Sequence, residues 1–154
     1  MNDPIEVIDL QAKARPLPGT IEHYWFENEH VGLSRTLFHR IHVPFEPFDS
    51  GLDYIEQPER TGLVVEWINL GLANPSALDG VEIAMGGTPE FEASIYLGGA
   101  HNWYQIEKLT LSQEGPHYRV AVSGTVEFAR EGVARNEWFA LEGMVVDGGG
   151  GTAA

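Results

Sequence analysis

Between Tyr118 and Phe128 the chain alternates with a period of two: Tyr118, Val120, Val122, Gly124, Val126 and Phe128 interleave with Arg119, Ala121, Ser123, Thr125 and Glu127. That period commits the segment to an extended strand with one buried face, since a helix would scatter the same residues around its circumference. Phe91, Ala93, Ile95 and Leu97 repeat the pattern against Glu92, Ser94 and Tyr96, and Val81, Ile83 and Met85 do so against Glu82 and Ala84. The turn formers of residues 86–90 separate these two runs, which are therefore expected to form a hairpin. Residues 105–111 are expected to pair with the Tyr118 strand across the turn at 112–116, with Gly124 marking a bulge or bend. A turn around Gly132 then leads into a last run, residues 137–146. Together these strands read as an antiparallel meander.

The first half carries the same character less cleanly. Residues 63–70 are nearly continuous in apolar side chains, as an interior strand should be. Residues 21–28 have the aromatic and β-branched content of a strand. Residues 33–43 fit both a helical stripe and an extended chain, and the prolines at 44 and 47 favour the strand. Asp3-Pro4-Ile5-Glu6 has the form of a helix start, so residues 1–20 are expected to be an arm or one short helix. The sum is an all-β, mainly antiparallel fold: a β-sandwich or partly open barrel of about eight to ten strands with at most one or two short helices. A chain of 154 residues fits one core. Residues 1–147 are read as a single domain, and the glycine-rich residues 148–154, with nothing to bury, as a disordered tail.

Charge narrows the partners. Nine Lys+Arg against 23 Asp+Glu leave a formal charge of −14, which opposes nucleic acid and anionic lipid surfaces and draws basic ones. The absence of cysteine removes thiol catalysis, thiolate metal sites and disulfides. Without a basic-then-apolar leader or a membrane-length apolar run, the expected location is the cytoplasm, away from any membrane. No glycine-rich phosphate motif and no Gly-x-Ser-x-Gly setting occurs.

The candidate sites are few. On a strand, His39 and His42 point to opposite faces, and His23 and Glu27 share a face but stand roughly 13 Å apart, too far for one ion. No metal ligand, cofactor or catalytic residue is expected. The pairs Glu27/Glu29 and Glu90/Glu92 have a spacing compatible with carboxylate chemistry, yet read more simply as solvated faces. Trp25 and Trp67 read as core, and Asn136-Glu137-Trp138-Phe139 mostly so. The run from Tyr96 to Tyr104 reads as a glycine-bearing loop presenting His101, Asn102, Trp103 and Tyr104. With Tyr96 and Glu92 these form the expected binding residues, because aromatic side chains with polar tips give large contact area. The functional expectation is a non-catalytic acidic binding protein that recognises a basic protein, as toxin-neutralising or immunity-like proteins do by physical analogy. The alternative is a small-molecule or carbohydrate binder, or a hydrolase, using a cleft near residues 96–104 with His101 or a glutamate as acid/base. Self-association through sheet edges is a third expectation.

Overall fold

The computed structural model describes residues 6–84 and 91–150. A four-residue helix α1 (Leu10–Lys13) precedes strands β1 (Gly19–Asn28), β2 (Leu33–Pro44), β3 (Gly62–Ile68), β4 (Glu82–Ala84), β5 (Glu92–Leu97), β6 (Ala100–Glu114), β7 (His117–Val126) and β8 (Glu137–Gly150). Seven strands close in the order β6-β5-β3-β2-β1-β8-β7 and back to β6, while β4 is added on β6 alongside β5. The fold is thus an all-β barrel, antiparallel except where β1 and β8 run parallel. Its interior is filled by the inward half of each alternating strand: Ile21, Ile41, Leu63, Ile95, Val120 and Val145 are all buried. Among the described residues no helix is long and apolar enough to cross a membrane.

The β6–β7 hairpin forms as the alternation predicts, with Glu114 opposite His117. Gly124 marks a sharp corner, but the bulge itself lies across from it on β6, between Ile106 and Lys108. A Cβ at Gly124 would overlap the Gln105 carbonyl, so only glycine allows β6 to fold this closely over β7. Residues 33–43 are strand throughout.

Other expectations are corrected. The β4 run does not form a hairpin with β5; Glu82 stands opposite Thr110 of β6 instead. With 15 residues, β6 is long enough to take β5 on its first turnward residues and β4 further along. Residues 85–90, including Glu90 and the supposed hairpin turn, lie outside the described residues, as do Asp3 to Ile5 and 151–154. Glycines 148–150 are not a loose tail: β8 runs to Gly150, which stands opposite His23 of β1. Strand pairing uses backbone groups alone, so a lack of side chains does not forbid it. Trp25 is not core but exposed on β1, under the Arg35 guanidinium at 4.7 Å, and Trp138 is likewise exposed while its neighbour Phe139 is buried. Trp67 is half-buried at a positive φ of 59°, where its ring meets Tyr24, Phe26 and Phe38 edge-on.

One seam is closed without a strand. Because β1 meets β8 only from Val145 onward, the edge of β8 nearer Glu137 is left for the N-terminal arm. The Gln11 side chain copies a strand there, donating to the Ala140 carbonyl and accepting from the Ala140 N–H, both at 2.8 Å. The Glu137 carboxylate accepts from the N–H groups of Ile8, Asp9 and Leu10 at 2.8–3.0 Å. Such capping removes the hazard of an open edge.

Candidate functional site

The outer face of β2, β3, β5 and β6 carries a groove of about 870 Å³. Strand register arranges its side chains in three rows. The first holds Pro44, Gly62, Tyr96 and His101, the second His42, Val64, Ser94 and Trp103, and the third Glu66 and Glu92. Small residues make the floor: Gly62, Val64 and Ser94 leave space between the taller His42 and Pro44 on one side and Tyr96, His101 and Trp103 on the other. Gly62 is required by close approach, since a Cβ there would stand 2.6 Å from the Val43 carbonyl oxygen. This lets the end of β2 rise over the floor as a wall, continued by Phe45, Pro47 and Leu17. Leu17 is held there by its N–H, which donates to the Pro44 carbonyl at 2.7 Å.

The segment 45–61 fixes the far end. Its Glu59 carboxylate is buried, accepts from the Gly98 N–H at 2.8 Å and is also bonded by the Ser50 hydroxyl and by Gln57. The Tyr54 hydroxyl donates to the Gly98 carbonyl at 2.9 Å, and the Thr61 hydroxyl donates to the Tyr96 carbonyl. These bonds grip the tight Gly98-Gly99 turn, where both residues have φ near 70°. Tyr96 and His101 leave that turn as a directly opposed pair with ring centroids 4.8 Å apart, edge to face.

The expected binding residues divide by parity. Residues 100–104 are not a loop but the start of β6, so alternate side chains face opposite ways. Tyr96, His101, Trp103 and Glu92 line the groove together, with Tyr96 47% and Trp103 37% exposed. Asn102 and Tyr104 do not join them. Asn102 is completely buried and its amide nitrogen donates to the carbonyls of Ile95, Leu97 and Ala100, which plugs the turn from inside. Tyr104 is 3% exposed and donates to the Phe139 carbonyl at 2.5 Å across the barrel; burial pushes its hydroxyl far above the ordinary tyrosine value.

Glu66 was not singled out from the sequence, yet it is the residue that gives the groove its electrostatic character. It stands directly opposite Glu92 on the neighbouring strand. Opposed side chains begin roughly 5 Å apart, and like charges in that relation destabilise a sheet. Among the described residues neither carboxylate makes an ion pair within 4 Å. The nearby Arg40 is committed to Glu22 at 3.6 Å and lies over the Tyr24 ring. The field of the pair reaches Tyr24, whose hydroxyl is pushed up first by burial and further by Glu66 and Glu92. The signal in the sequence was Val64: an apolar residue at an outward position of β3, two residues before Glu66.

Among the histidines, His23 and His39 stand opposite each other in register, with ring centroids 6.1 Å apart. His39 points inward and is buried, whereas His42 is exposed in the groove wall. Among the described residues no three His, Asp or Glu side chains are placed to hold a metal ion. Comparison with protein-family models, with curated proteins and with solved structures returns no match for this chain.

Proposed function

We propose that this protein is a non-catalytic binding protein whose outer groove receives a basic segment of a partner protein. The observation that carries the reading is the unpaired Glu66–Glu92 couple at one end of a groove rich in apolar and aromatic side chains. A lysine or arginine side chain laid there relieves the repulsion between the two carboxylates and gains charge-assisted hydrogen bonds. Its aliphatic stem and the adjoining residues cover Val64 and the faces of Trp103 and Tyr96, which suit both apolar and cationic groups. The charge of −14 steers such a partner toward the protein and raises its association rate.

The test is titration of the protein with a labelled peptide of alternating arginine and leucine at two ionic strengths. Binding is expected to weaken as salt rises and to fall about a hundredfold in the Glu66→Gln/Glu92→Gln double variant. Binding that ignores both salt and the double substitution overturns the proposal. A second reading, a carbohydrate binder, draws on the concavity beside Tyr96 and Trp103, because sugar rings stack on such aromatic faces. It requires binding of a neutral oligosaccharide that is insensitive to salt and is lost in Trp103→Ala.

A further inference from the structure

The groove has a second charged end. Arg60 lines it beyond the first row, next to Thr61, and the floor between Arg60 and the two glutamates carries no charge. In a chain with nine Lys+Arg against 23 Asp+Glu, Arg60 makes no ion pair within 4 Å among the described residues. Gly62 and Glu66 are four strand residues apart, roughly 13 Å, and Arg60 lies further out along the same chain. An occupant that meets Glu66 and Glu92 with a cation therefore reaches a lone guanidinium more than ten ångströms away, across an uncharged floor.

Resting on the reading of the groove as a site for a basic segment, we infer that the segment is a C-terminal tail, its terminal carboxylate on Arg60 and a basic side chain on Glu66 and Glu92. An extended peptide advances roughly 3.3 Å per residue, so four to six residues bridge the two ends. A free amino acid or a dipeptide is too short. A guanidinium takes a carboxylate as a bidentate pair. The surrounding negative field disfavours a polyanion in its place, and a single carboxylate on a basic tail is the anion that this protein attracts rather than repels.

The experiment uses the full chain and three labelled hexapeptides of neutral residues: one with an arginine five residues before a free carboxylate, its C-terminal amide, and one with the arginine moved next to the carboxylate. The free acid is expected to bind about tenfold more tightly than the amide. Arg60→Gln should erase that difference. Because Arg60 is exposed, an unchanged urea midpoint verifies the variant's fold. Equal binding of acid and amide, with Glu66 and Glu92 still required, overturns the tail inference and leaves the groove's function standing. Equal binding of the shifted-arginine peptide overturns the spacing. Failure of all three peptides to bind sinks both readings.

Discussion

Two outer walls of the same barrel treat charge in opposite ways. On β6, β7 and β8 the outward side chains surround a smaller hollow of about 520 Å³ lined by Lys108, Thr110, Ser123 and Glu142 among apolar residues. There the two charges of the hollow are answered within the sheet: Arg119 bridges Glu114 at 3.0 Å and Glu142 at 3.6 Å, and Lys108 meets Glu82 at 3.8 Å. On the groove wall Glu66 faces Glu92, Arg60 stands alone, and aromatic rings are left half in solvent. Hollowness is common to both walls, so it does not mark a site. Like charges opposed in register distinguish the groove, because a surface selected only for solubility has no reason to place them so.

The strongest way to break this contrast is to fill the groove floor. Gly62→Ala places a Cβ against the backbone of β2, and unfolding measurements should show a loss of roughly 2–4 kcal/mol. Ala121→Val on the other wall should stay within about 1 kcal/mol. Equal costs would mean that the groove wall is not specially built. Tyr104→Phe comes next, since it removes the hydrogen bond tying β6 to β8 through the interior. A loss of about 1–2 kcal/mol is expected in urea titrations at neutral pH.

Acid should then act through His39, on the inner face behind the groove wall. Its Nε2 bonds the Pro75 carbonyl at 2.8 Å, its Nδ1 is buried without a partner, and His23 of β1 stands in register beside it. Burial first, then His23, lowers its proton affinity below the ordinary 6.5, while the Pro75 bond and Asp147 oppose the shift. The folded state thus holds this proton less tightly than the unfolded chain. Stability is unaffected by His39 above that ordinary value and falls as pH drops through it toward the folded value. The urea midpoint should therefore fall between pH 7.5 and 5, and fall less in His39→Gln; identical slopes would remove His39 from the account.

The smallest effects carry opposite signs. Glu92→Gln should stabilise by up to about 1 kcal/mol by relieving Glu66, whereas Glu142→Gln should destabilise by less than about 1 kcal/mol by releasing Arg119. Two losses of stability would show that Glu92 is already satisfied, and would remove the physical basis for a cationic ligand.

Most strands were legible because alternation is local: the parity of Tyr118 to Phe128 alone says which side chains enter the barrel. The same parity, applied at Gly99, would have separated His101 and Trp103 from Asn102 and Tyr104. Reading those residues as a loop concealed it. Partners were less legible. The placement of β4 on β6, and of β1 parallel to β8, joins segments between 24 and more than 120 residues apart. Nothing near either segment in sequence announces such a pairing.

Sequence alone thus decided the inward and outward halves of the strands, the closed all-β architecture's raw material and the acidic surface, since each depends on neighbours one or two residues away or on simple counts. The groove belongs to tertiary structure. Gly62, Val64 and Ser94 become a floor, Glu66 meets Glu92, and Arg60 becomes the opposite pole only when β3 is inserted between β2 and β5. That insertion is set by burial of the barrel interior, which selects the register of every strand and leaves the outer face to follow.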